Sequence, residues 1–232
     1  MILALSANYG YVFLAAAFVS FECLLIGFIF PGLARRKYFT QDFMRQFEEV
    51  HRREVDPGST PSKEGFPDMG NGMYAQRLSY GQWVGFNNAQ RVHYNFVESI
   101  STVITLLMIG GIYYPVIAAS FGLGIFIARI IYSLGYYLTG ASGRLVGVLI
   151  IDVCLLGLFV LSIITGVRFV QGIPPVYRWY THKYKNNLNY SINKKTYLII
   201  NLDIEDVFCS IYLLILHLNY KIILNYKDLT LK

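Results

Sequence analysis

An all-α integral membrane protein, a bundle of four transmembrane helices, is the architecture this sequence specifies. Only 15% of its 232 residues are charged, against about 25% in an average soluble domain. Mean hydropathy is +0.44. The apolar residues, 55% of the chain, are gathered into long runs rather than scattered at short period, and run length is the test of a membrane span. Basic residues stand at the ends of those runs, where spans leave the cytoplasmic face.

The runs are Tyr11–Leu33, Val92–Tyr114, Val116–Leu138 and Leu145–Phe169. Each reaches the roughly 20 residues a helix needs to cross the hydrocarbon layer. In lipid only helices and closed barrels satisfy their own backbone groups, and these runs are too continuous for the alternating strands of a barrel. No basic n-region precedes Tyr11 and no small-residue cleavage site follows it, so the first run is expected to be a retained span, not a signal peptide. Arg35, Arg36 and Lys37 come directly after it, which puts that end in the cytoplasm and the N-terminus outside. The turn at Tyr113–Val116 carries no Lys or Arg, as suits the far side. The third loop returns to the cytoplasm and carries Arg144.

The connections are unequal. Residues 38–87 form a long polar insertion: Gln41–Val55 is charged and compatible with helix, and Asp56–Gly72 is rich in Gly, Pro, Ser and Asp and reads as loop. A connection this long is functional, disordered or a cap. Tyr80, Trp83 and Phe86 near its end suit a membrane interface. The four-helix domain is expected over residues 1–172. After Gly172 the composition shifts: no Gly or Ala occurs in residues 173–232, and Asn, Tyr, Lys, Ile and Leu dominate. Within this tail, Val207–Leu224 reads equally as a fifth span, an interfacial helix or an unordered segment. The tail is assigned no function.

The net charge of +6 points to anionic headgroups at the span ends. Aromatics do not interleave with Arg and Lys as in a nucleic-acid groove, so nucleic acid is not expected as a partner. Cys23, Cys154 and Cys209 have neither metal-site spacing nor a disulfide framework. The four histidines, His51, His93, His182 and His217, form no ligand cluster, so no metal is expected.

A charge at mid-bilayer costs about 2.5–3.5 kcal/mol on insertion scales, so each one needs a reason. Arg91, Asn95 and Glu98 stand at i, i+4 and i+7, one helical face over two turns. A guanidinium, an amide and a carboxylate in line can hold a zwitterionic ligand, or can tie helices together. Arg129, Tyr132 and Tyr136 share a face of the third span. Alone, the tyrosines read as an interface belt. Arg129 is deeper and is expected to pair with Glu22 or Asp152. Arg144, Arg35 and Arg36 read by themselves as positive-inside anchors.

Taken together these residues resemble the MAPEG family, membrane-associated proteins of eicosanoid and glutathione metabolism. The segment Phe86-Asn87-Asn88-Ala89-Gln90-Arg91-Val92-His93-Tyr94-Asn95-Phe96-Val97-Glu98 is similar to the start of the family's second helix, and is closest to the type 3 microsomal glutathione S-transferase branch. Ala128-Arg129-Ile130-Ile131-Tyr132-Ser133-Leu134-Gly135-Tyr136-Tyr137 and Gly110-Gly111-Ile112-Tyr113-Tyr114-Pro115 resemble the same branch. The resemblance covers residues 8–40 and 80–172, not the insertion or the tail.

It implies a left-handed four-helix bundle assembled as a homotrimer, with glutathione as co-substrate in a cleft between subunits near the cytoplasmic face. By position, Arg91, Asn95 and Glu98 look like contacts to the glutathione backbone and carboxylates. His93 stands where leukotriene C synthase has glutamine, and Tyr132 and Tyr136 look like the tyrosines lining the cleft. Arg35 or Arg36 resembles the arginines after the first helix. Arg144 resembles the catalytic arginine that activates the thiol. Ser99 departs from a tyrosine that the synthase has after the glutamate. The implied activity is glutathione transfer to a lipophilic electrophile, or reduction of a lipid hydroperoxide. The alternatives are a non-enzymatic lipid-binding scaffold and a leukotriene C synthase-like conjugating enzyme. The endoplasmic reticulum is the expected membrane, with the outer mitochondrial membrane as the alternative.

Overall fold

The computed structural model describes residues 5–173 and 175. Expectations about the tail, including Val207–Leu224, lie outside the described residues. Four helices are long and apolar enough to cross a membrane. They are α1 (Gly10–Tyr38), α4 (Tyr80–Gly110), α5 (Pro115–Thr139) and α6 (Leu145–Val170), with short α2 (Gln41–Arg45) and α3 (Glu48–Glu54) between the first two. This is an integral membrane protein built as a four-helix bundle.

Each long helix buries one seam. On α1 the seam is Val12, Ala15, Val19, Glu22, Cys23, Ile26 and Phe30. On α6 it is Gly147, Ile151, Cys154, Leu158, Leu161 and Thr165. Steps of three and four residues are the signature of left-handed bundle packing. α1 packs on α4 and α5, α6 packs on the same two, and α4 touches α5. α1 and α6 therefore hold opposite corners, and the contact between α4 and α5 fills the middle. The outward surface is also apolar: Phe18, Phe21 and Phe28 on α1 and Leu138 on α5 are exposed. A surface that apolar on both sides of a helix belongs in lipid.

Three boundaries differ from expectation. α4 begins at Tyr80, not Val92, and ends at Gly110. Hydropathy misses the earlier start because it is set by a cap: the Ser79 hydroxyl accepts from the Gln82 N–H, and the Gln82 side chain accepts from the Ser79 N–H, a capping box. With 31 residues, α4 is about 46 Å long, so its first turns stand outside a hydrocarbon layer about 30 Å thick. At the far end, Pro115 opens α5, where a missing N–H costs nothing. α1 runs past Leu33 to Tyr38.

The insertion is an ordered cap where the end of α1 meets the start of α4. Phe39, Met44, Phe47, Ala75 and Leu78 are buried. Asp68 organises its turn: one carboxylate oxygen accepts from the N–H groups of Gly70 (2.7 Å) and Gly72 (3.0 Å), the other from Ala75 (2.8 Å). Phe86, expected from sequence at the membrane interface, is not there. It is fully buried, edge-on to Phe39, because the cap covers the helix face it stands on. Trp83 does sit on the outer side, donating to the Gly70 carbonyl at 3.1 Å.

α5 and α6 approach so closely that their glycines are required. A Cβ on Gly147 would lie 2.6 Å from the Tyr132 backbone. Gly147→Val is therefore expected to separate the two helices and lower stability by about 1–3 kcal/mol, read as a lower thermal aggregation midpoint in detergent. An unchanged midpoint would contradict this packing.

Candidate functional site

The deepest charged group is Arg129 on α5, 2% exposed. Its Nη1 donates to Asn95 Oδ1 at 2.7 Å and its Nη2 donates to the Ser99 hydroxyl. Its guanidinium also lies over the Phe96 ring at 4.5 Å. The expected ion pair with Glu22 or Asp152 does not form. Both acids lie within electrostatic range, but neither makes a salt bridge to it among the described residues. Asp152 is exposed on the outside of α6. Among the described residues the buried carboxyl oxygens of Glu22 have no hydrogen-bond partner. Asn95 and Ser99 succeed because they stand one turn apart on α4, offering two oxygens to a planar fork.

Ser99 is the residue that reading the sequence missed as a partner. The available signal was its position four residues after Asn95, on the same face.

The expected ladder on α4 is divided. Arg91 and Glu98 pair at 3.4 Å on the outer surface, their side chains 48% and 59% exposed, while Asn95 is turned inward to Arg129. His93 is placed elsewhere: a Cβ on Gly27 would lie 2.6 Å from His93 Nε2, so the ring packs against α1, away from the Arg91–Glu98 face. Tyr132 and Tyr136 are buried, their ring centroids 5.8 Å apart. This rules out an interface belt for them; they face the bundle because α6 covers their side of α5.

Arg144 sits at the cap position before α6. A Cβ on Gly135 would lie 2.1 Å from the Gly143 carbonyl oxygen, and Gly140 takes φ +76°. These glycines make the α5–α6 turn tight enough for the Arg144 guanidinium to lie over the Tyr136 ring at 5.5 Å. Among the described residues it has no carboxylate or hydrogen-bond partner.

At the end of α1 the two arginines differ. Arg35 is 3% exposed. Its Nη1 donates to the Glu64 carbonyl at 3.2 Å and its Nη2 to the Asp68 carbonyl. The guanidinium lies between the rings of Phe66 (4.1 Å) and Phe86 (5.3 Å). Arg36 points into solvent and meets Glu64 Oε1 through Nε at 3.2 Å. A surface hollow on the insertion is lined by Pro67, Met69, Met73 and Tyr74. It offers no free charge, since the Asp68 carboxylate beside it already holds three N–H groups.

A four-span bundle with an arginine buried at its centre and further arginines at one end defines a class of small integral membrane protein with a polar site between apolar helices. The model of the MAPEG family matches residues 13–164, and this chain belongs to that family. No solved structure matches it significantly.

Asn95→Ala leaves a buried guanidinium donor unpaired, at an expected cost of about 1–3 kcal/mol. Asn95→Asp, which keeps an acceptor for Arg129, is expected to lose less. Thermal aggregation midpoints of the two variants check this, and equal loss in both would remove Asn95 from the Arg129 pairing.

Proposed function

We propose that the protein is a membrane-bound glutathione transferase with glutathione-dependent peroxidase activity, of the type 3 microsomal kind. Glutathione is the co-substrate, and a lipophilic electrophile or lipid hydroperoxide arrives from the bilayer. Family membership supports the general class. The observation that carries the particular reading is Arg144, a guanidinium with no counter-charge among the described residues, held over Tyr136 at the start of α6.

A free thiol has a pKa of about 8.5 and is mostly protonated at neutral pH. A guanidinium close to the sulfur favours the thiolate. The positive end of the α6 dipole acts in the same direction, and nearby hydrocarbon strengthens both. The thiolate then attacks an electrophilic carbon to form a thioether, either expelling a leaving group such as halide with its bonding pair or, at an activated double bond, pushing the π electrons onto the conjugated acceptor, which takes a proton from water. With a hydroperoxide it attacks the outer oxygen: the O–O bond breaks, the alcohol leaves, and a second glutathione reduces the resulting sulfenic acid to the disulfide, releasing water.

Two of the residues matched to ligand contacts are already committed within the protomer: Asn95 to Arg129, and Arg35 to the insertion. Binding then falls to Arg36, Arg91, Glu98, Tyr132 and Tyr136, with His93 shaping the α1 side. Arg91 and Glu98 can exchange each other for the carboxylate and ammonium of the tripeptide. Their pair lies on the outside of a span, where hydrocarbon would be costly. A neighbouring subunit covering it fits the homotrimer that the family resemblance implies. The endoplasmic reticulum remains the proposed membrane.

Arg144→Ala is expected to lower kcat by about 10–100-fold, that is about 1.4–2.7 kcal/mol of barrier, while changing the glutathione KM much less. Arg144→Lys should retain part of the rate. Steady-state turnover of solubilised protein with a chromogenic electrophile and with a lipid hydroperoxide checks this. Equal loss of affinity and turnover, or no loss, would remove Arg144 from thiol activation.

A further inference from the structure

One residue of the insertion answers both arginines at the end of α1. The backbone carbonyl of Glu64 accepts from Arg35, and its side-chain carboxylate accepts from Arg36. Glu64 is the one non-glycine residue with positive φ among those described, at φ 62° and ψ 19°. A glutamate adopts that conformation only where its surroundings hold it there. What holds it is the buried Arg35 behind it and the packing of the next residue: a Cβ on Gly65 would lie 2.5 Å from the Phe39 ring. The backbone is thus pinned from inside while the carboxylate reaches outward to Arg36.

The outer contact is of a different kind from the inner one. The Arg36 and Glu64 side chains are 73% and 35% exposed, and such pairs are weakly held. Only Nε of Arg36 is engaged. Its two terminal nitrogens carry no hydrogen bond among the described residues, so half of a fork suited to a carboxylate stays open. A second carboxylate can dock on the open edge before Glu64 leaves.

We propose that Glu64 is a tethered stand-in for a ligand carboxylate: it occupies Arg36 in the absence of ligand and competes there with a carboxylate of glutathione. This rests on the reading that glutathione is the co-substrate. The exchange keeps Arg36 paired, while the displaced Glu64 carboxylate, still tethered to the chain, returns to water. Glu64 therefore sets affinity without touching the thiol, and the insertion becomes part of the binding equilibrium.

The test uses the full chain in detergent, comparing wild type with Glu64→Gln, which keeps the size of the side chain and removes its charge. Glu64→Asn is the second variant, since asparagine tolerates positive φ. Phenylglyoxal labelling of individual arginines is followed by peptide mass spectrometry, and glutathione binding by calorimetry. Arg36 is expected to label faster in Glu64→Gln while Arg35 stays protected. Glutathione is expected to bind the variant about two- to fivefold more tightly, with the gain abolished by Arg36→Gln. Equal labelling and equal affinity in both proteins overturn the competition and leave the transferase reading intact. Failure of glutathione to bind wild type and variant alike overturns both.

Discussion

A guanidinium enclosed by four apolar helices must find oxygen within the protein, because lipid supplies none. Arg129 meets that requirement with an amide and a hydroxyl from α4, and the rest of the bundle is arranged around the result. The pairing fixes the rotation of α5 against α4, the contact that fills the centre. With that rotation set, Tyr132 and Tyr136 turn toward α6 and the Arg91–Glu98 pair is left outside. A neutral pair of acceptors also leaves Arg129 with its full charge inside the bundle, near a glutamate whose oxygens have no hydrogen-bond partner among the described residues.

The second constraint is steric. α5 and α6 are joined by a turn in which backbone touches backbone, at Gly135 and Gly143 and again where Gly147 meets Tyr132. In lipid, helices associate through such close packing rather than through a hydrophobic driving force. The turn does more than join two spans: its tightness brings Arg144 over Tyr136. Structure and proposed chemistry thus share the same glycines, and a bulky residue among them would disturb both.

The four spans were legible because continuous apolar runs of this length have one common meaning. The start of α4 was not, because Tyr80 to Gln90 is polar enough to read as loop; a capping box and the burial of Phe86 under the insertion make it helix. The face shared by Arg91, Asn95 and Glu98 was visible in the spacing. That Asn95 turns inward to Arg129 was not, since spacing on one helix does not say which neighbour a side chain meets. The choice of Asn95 and Ser99 over Glu22 and Asp152 went against simple charge matching, and only the positions of three helices decide it. The adjacent Arg35 and Arg36 were equivalent in sequence. One falls on the seam under the cap and the other one step around the helix, in water.

Arg35 has a further consequence, for what the end of α1 can tolerate losing. Its guanidinium is satisfied by two carbonyls and a ring that all belong to the insertion. A relative that lost the loop would strip those partners from a cation at the membrane surface, and a relative that lost the arginine would leave the loop without its tether. Arg35 and the insertion therefore depend on each other for their order. Arg35, although adjacent to the exposed Arg36, thus serves architecture: its fork is filled by the chain's own carbonyls.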